Sequence, residues 1–213
     1  MSGARIVALG DSCISAQFAA IIDPAVNARC IALADSLAAL AIRGVRDVVP
    51  TYNAVAVHFD PVETTCASLT ARVERLIADA QVTVAEDSRT VEIPVAYGGP
   101  DLEAVAAFAG CSEDEVIRLH MEPRYRVYML GFLPGFAYMG SVNRRIAMPR
   151  LDTPRAHVAS GSVGIAGEQT GIYPCDTPGG WRLIGKTGAA LFDEGRAEPF
   201  LLRAGDHVTF VAV

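Results

Sequence analysis

Along residues 23–44, apolar residues recur at three- and four-residue spacing, with Val26, Cys30, Leu33, Leu37 and Leu40 on one stripe. That pattern predicts an amphipathic helix. Asp23 suits its cap, Pro24 its first turn and Gly44 its end. Residues 5–9 read as a short strand before it. From 48 to 60 the period changes to two, with Val55, Val57 and Phe59 opposite Ala54, Ala56 and His58, so a strand follows. After Asp60-Pro61 a second helical stripe carries Leu69, Val73, Leu76 and Ile77. The order β-α-β-α predicts a small α+β unit of the split βαβ kind over residues 1–88.

A polar stretch at residues 85–89 makes the join to a second domain over residues 89–213. Residues 90–96 read as a strand entering the turn Tyr97-Gly98-Gly99-Pro100. Two short helices follow, one over 101–109 and one opened by Ser112 with Glu115 at capping-box spacing. Beyond Tyr125, Gly and Pro recur between short β-rich pieces at 125–130, 182–184 and 207–213, which is the texture of a barrel or sandwich.

Composition narrows the partners. The 213-residue chain carries a formal charge of −6, which argues against an electrostatic grip on nucleic acid or an anionic membrane and leaves a small molecule or a protein. Its five cysteines are scattered with no C-x-x-C pair, the pattern of reduced thiols in a cytosol, and Cys30 and Cys66 fall in apolar helical stripes as packing residues. No signal-peptide core opens the chain, and the apolar run at 30–42 is broken by Asp35, so the expected location is cytoplasmic.

Residues 180–187 (GWRLIGKT) match the phosphate-cradling pattern G-x-x-x-x-G-K-[ST] letter for letter. Its bulky middle positions read instead as a strand over 181–184, and Gly188 stands where a helix would have to start. Other motifs carry more weight: GFLPGFAYMG at 131–140, Pro149-Arg150, Pro154-Arg155, GSVGIAGEQTGIYP at 161–174 and TPGGWRLIGKT at 177–187. In this order they resemble the family of the bacterial 5-oxoprolinase B subunit, also called allophanate hydrolase subunit 1 or the Kip-type kinase inhibitor. Two positions depart from the family pattern: Asp11 leads into polar Ser12 and Cys13, and Ala204 stands where Pro is usual.

The resemblance implies a cyclophilin-like β-barrel for the second domain. It also implies a non-autonomous component that, with the A and C subunits of 5-oxoprolinase, hydrolyses 5-oxo-L-proline to glutamate using ATP, the C subunit supplying a second cyclophilin-like barrel. Two alternatives accompany it: an allophanate hydrolase or urea carboxylase type of carboxyltransferase component, and a non-enzymatic inhibitor of a sensor histidine kinase. The chain has no AMKM-like biotin attachment sequence.

Opening a lactam through phosphorylation needs cations for anionic oxygens, donors for the carbonyl and a proton carrier. Arg150 and Arg155 are candidates for a two-point grip on a carboxylate or phosphate, with Lys186 as a point charge. His120 is the candidate for proton transfer; its neighbourhood resembles that of the family's histidine before a Y-x-V strand. Gln169, Thr170 and Tyr173 offer neutral hydrogen bonds, and Phe132, Pro134, Phe136, Tyr138 and Trp181 offer pocket walls. Each has a structural alternative: a helix position capping or facing solvent for His120, a surface ion pair for either arginine, a core place for Trp181. His58, His157 and His207 have no neighbours at metal-ligand spacing, and no metal site is expected.

Overall fold

A computed structural model describes residues 4–79 and 88–213. The chain forms two compact units, Met1–Asp87 and Ser88–Val213. Of the predicted join at 85–89, residues 85–87 lie outside the described residues.

The first unit runs β1 (Arg5–Ala8), β2 (Cys13–Gln17), α1 (Pro24–Ala39), β3 (Val45–Pro50), β4 (Ala54–Phe59) and α2 (Cys66–Asp79). The helix α1 starts where the pattern placed it, because Asp23 Oδ1 accepts from the amides of Ala25 and Val26 at 2.9 and 3.0 Å. It ends at Ala39, ahead of Gly44. Gly44 instead lies where the chain passes Glu63, with φ +84 and no room for a Cβ. The strands form one antiparallel sheet in the order β1-β2-β4-β3.

Two strands exceed the two expected here. The single strand read over 48–60 is instead most of a β3–β4 hairpin: residues 48–50 end β3, the chain turns at Thr51, whose amide bonds to Ala54 O at 2.8 Å, and only 54–59 form the second arm. β2 went unread because Ser15 and Gln17 break its apolar run, yet Cys13–Ala16 are buried. Ile14, Cys30, Leu33, Leu37, Val55, Val57, Leu69 and Val73 build the core between sheet and helices. Burial pushes the Cys30 thiol up to about 12, so it stays protonated as a small apolar side chain.

The second unit contains β5 (Thr90–Tyr97), α3 (Leu102–Ala109), α4 (Glu113–Met121), β6 (Tyr125–Leu130), β7 (Ala137–Gly140), β8 (Arg155–Val158), β9 (Ser162–Ala166), β10 (Gln169–Ile172), β11 (Thr177–Gly179), β12 (Arg182–Lys186) and β13 (His207–Ala212). Seven strands close a barrel in the order β10-β7-β6-β13-β5-β12-β9, with β9–β10 pairing as the seam. Pairing is antiparallel except between β13 and β5. β8 and β11 make a separate two-stranded sheet. Ser112 caps α4 by accepting from the Glu115 amide at 3.2 Å, and Gly110 ends α3 in the left-handed conformation.

Residues 182–186 of the phosphate-loop lookalike form β12, hydrogen-bonded on both sides to β9 and β5. A Cβ at Gly185 would meet Val95 at 2.7 Å, so that glycine serves strand packing. The barrel core includes Ile93, Val127, Met139, Val163, Ile165, Ile184 and Phe210, with Leu102, Val105, Val116 and Leu119 of the two helices packed onto it.

Candidate functional site

The loop between β6 and β7 is built by short backbone hydrogen bonds. Leu133 N–H donates to Gly131 O at 2.9 Å, Phe136 N–H to Leu133 O at 3.0 Å, and Gly131 N–H to Phe136 O at 3.1 Å. These hold Phe132 at φ +70, a region that costs a residue with a Cβ about 1–3 kcal/mol. The strained turn leaves the Phe132 ring 59% exposed, edge-on to buried Phe136 at 5.6 Å between centroids. Phe136 in turn meets Tyr138, Tyr173 and Trp181 edge-on at 4.9, 5.4 and 5.3 Å. T-shaped packing of this kind directs positive ring edges at ring faces and fixes all four rings relative to one another.

Above these rings lies a cleft of about 300 Å³ lined by Phe132, Tyr138, Arg150, Pro154, Tyr173, Trp181 and residues 178–180. Arg150 is its cation. The backbone on either side of it is clipped down: Leu151 N–H donates to Gly180 O at 2.7 Å, and Arg182 Nε donates to Pro149 O at 3.0 Å. Among the described residues no carboxylate forms a salt bridge with Arg150. Burial raises the Tyr173 phenol, while the Trp181 backbone hydrogen bond and the charges of Arg150 and Arg155 work the other way. Burial also raises Tyr138. Both phenols are therefore neutral donors at neutral pH. None of the residues lining the cleft is acidic or a histidine.

Five of the candidate residues thus meet in one place: Phe132, Tyr138, Arg150, Tyr173 and Trp181. Phe136 is the floor beneath them, and Pro134 lines an adjoining shallow groove that also includes Leu133 and Phe200. Arg155 stands next to the cleft with its charge committed. Its Nη2 donates to Asp101 Oδ1 at 2.7 Å and its Nη1 to Trp181 O at 3.3 Å. Lys186 sits at the exposed end of β12, where its charge acts on Asp176, and Gln169 pairs with Gly140 at the start of β10. Neither lines the cleft. Pro154, Pro178 and Asp101 were missed; only Pro154 and Pro178 stood inside motif strings that could have flagged them.

His120 also lies elsewhere. It is 0% exposed, with its ring stacked on Phe210 at 4.6 Å. The Thr170 hydroxyl donates to Gly164 O at 3.0 Å, so its oxygen accepts the Nε2 proton of His120 at 2.9 Å. Nδ1 then accepts from the Tyr97 hydroxyl at 2.8 Å. Burial lowers the imidazole pKa to about 3, leaving it neutral. Both nitrogens are occupied, and no open surface reaches them. The ring is neither placed for proton transfer with a ligand nor turned to solvent or a helix end, as the structural alternative had it: it is a buried core residue with both nitrogens bonded. Among the described residues there is also no cluster of His, Cys, Asp and Glu arranged to hold a metal ion, and no helix long and apolar enough to cross a membrane.

Residues 4–202 match the family described as carboxyltransferase domain, subdomain C and D. The chain is 43% identical to the 5-oxoprolinase B subunit of Bacillus subtilis (strain 168), over 98% of this chain and 92% of that protein. It is 41% identical to the 5-oxoprolinase B subunit of Escherichia coli O157:H7, over 99% of this chain and 97% of that protein. The crystal structure of TTHA0988 superposes with a TM-score of 0.86 at 39% identity, over 95% of this chain; the chain spans 40% of that longer one. A mixed α/β chain with a closed seven-stranded barrel and this series of motifs, matching such relatives over nearly their whole length, belongs to the 5-oxoprolinase B-subunit family of carboxyltransferase subdomain C and D proteins.

Proposed function

We propose that this chain is the B component of an ATP-dependent 5-oxoprolinase, acting with the A and C subunits in the cytoplasm to hydrolyse 5-oxo-L-proline to glutamate. The observation that carries it is the identity of 43% with a 5-oxoprolinase B subunit over 98% of the chain. The cleft supports it chemically. 5-Oxoproline is a flat ring bearing one carboxylate, and the cleft presents one arginine among aromatic rings. Arg150 takes the carboxylate in a charge-assisted grip, the ring lies against Trp181 and Tyr138, and the Tyr173 side supplies a neutral donor for the lactam oxygen. With no carboxylate or imidazole on its lining, the cleft holds substrate and leaves general acid–base chemistry to another chain, which accords with a component inactive alone. ATP belongs to the assembled complex.

The test is co-expression with the A and C subunits followed by measurement of ATP-dependent glutamate formation. Activity is expected only when this chain is present; glutamate formation that survives its omission overturns the reading. Carboxyl transfer is the second reading, resting on the family description. Turnover of urea or allophanate without turnover of 5-oxoproline in the same assay selects it.

A further inference from the structure

We propose that Asp101 and Arg155 are positioning residues that fix the Trp181 wall of the cleft; their bearing on the reaction rests on the reading that substrate binds there. Asp101 occupies the N-cap position of α3, where an Asp side chain ordinarily accepts from the helix's first amides. Here it makes no such bond. Its carboxylate turns instead to β12, where Oδ2 accepts from the Leu183 amide at 2.6 Å, while the Asp101 amide donates to Leu183 O at 2.9 Å. The other oxygen takes Arg155 at 2.7 Å, and Arg155 reaches on to the Trp181 carbonyl at 3.3 Å.

One buried carboxylate, 8% exposed, therefore grips the backbone at Leu183 directly and at Trp181 through the arginine. The indole is seated from behind by two glycines. An added Cβ at Gly164 would lie 3.1 Å from Trp181 Cβ, and one at Gly171 would lie 3.1 Å from Trp181 Cζ3. Glycines leave the seat open, and the Asp101–Arg155 pair anchors the backbone that carries the ring. A helix start is left without its cap so that the cleft wall is held. Arg155, for all its place in a Pro-Arg motif beside Arg150, acts on the ligand through Trp181.

Trp181 is the chain's one tryptophan, so its fluorescence reports on the wall alone. Full-length Asp101→Asn and Arg155→Lys are compared with the unmodified chain by acrylamide quenching without ligand, then by steady-state kinetics with 5-oxo-L-proline in the assembled enzyme. Quenching is expected to rise in both variants, and KM to rise about tenfold while kcat stays within about twofold, the signature of binding lost equally in ground and transition states. Should Asp101→Asn unfold, Arg155→Gln at a partly exposed position carries the same test. Unchanged quenching in a folded variant overturns the proposal. Raised quenching with unchanged KM upholds the brace and overturns the cleft as the substrate site.

Discussion

His120 Nε2 donates to the Thr170 hydroxyl at 2.9 Å in the buried interior of the barrel unit, and the Tyr97 hydroxyl closes the other side of the ring at 2.8 Å. The Thr170 hydroxyl in turn donates to Gly164 O, and the Tyr125 hydroxyl donates to the His120 carbonyl at 2.8 Å. One helical residue thereby ties α4 to β5, β6, β9 and β10, and its ring stacks on β13 through Phe210. Burial keeps the two phenols protonated as well, so the network is neutral throughout. Its role is cohesion, because every donor is matched and a charge there would go unanswered.

That network sets an acid limit on stability. The His120 pKa falls from 6.5 to about 3 on folding, so between those values the unfolded chain binds a proton that the folded chain refuses. Stability from this group is complete above pH 6.5 and is lost as pH falls toward 3, at up to about 1.4 kcal/mol per pH unit. Denaturant unfolding at about pH 5 and about pH 6.5 is expected to show this slope in the unmodified chain and to lose it in His120→Gln. Equal slopes in the two proteins would place a charged or solvated imidazole in the folded state.

Arg150 is the one charged residue lining the cleft among the described residues. Replacing it with alanine is expected to weaken 5-oxo-L-proline binding by about 10- to 100-fold, the range for a lost hydrogen bond to a charged group. Lysine, a point charge without the planar fork, should recover part of that. Titration of Trp181 fluorescence measures both. An alanine variant that binds as tightly as the unmodified chain would remove Arg150 from the site.

The parts of the fold that were legible in advance had local causes. The α1 stripe and its Asp23 cap lie within about twenty residues, and the glycines and prolines after Tyr125 announced short strands one turn at a time. β2 escaped because burial of Ser15 and Cys13 is decided by β4, a distant stretch of chain paired across the sheet. The aromatic members of the cleft were legible because they fall in three motif strings, 131–140, 161–174 and 177–187. The role of Arg155 was not: its partner Asp101 stands 54 residues upstream, and nothing local to either residue marks the pair. The placement of His120 did leave a signal. Val116, Leu119 and His120 fall at i, i+3 and i+4, and that shared stripe is the buried face of α4.

Thiol reactivity should divide the cysteines by depth. Cys13 and Cys30 are buried with raised pKa values, whereas Cys175 is exposed on the segment between β10 and β11. Because the thiolate is the nucleophile, a mild alkylating reagent on the folded chain is expected to modify Cys175 first and to spare Cys13 and Cys30 until unfolding. Peptide mass mapping of a time course checks the order, and early labelling of Cys30 would contradict the packing of α1.

Gly179 tests whether the cleft wall and the stability of the barrel unit can be separated. A Cβ there would overlap the Tyr173 hydroxyl and lie 2.8 Å from Tyr173 Cε1 and Cζ. Tyr173 is 1% exposed and packed edge-on to Phe136, so it cannot yield outward without opening the aromatic floor. Gly179→Ala is therefore expected to destabilise the protein by about 1–3 kcal/mol, the cost of overpacking a tight site, and to weaken ligand binding together with stability. Adding Tyr173→Phe removes the overlapping oxygen. The double variant should regain part of the stability lost in Gly179→Ala while still lacking the donor proposed for the ligand. Melting curves and Trp181 titrations on the single and double variants measure the two effects separately. Full recovery of binding in the double variant would show that the Tyr173 hydroxyl shapes the wall without touching the ligand.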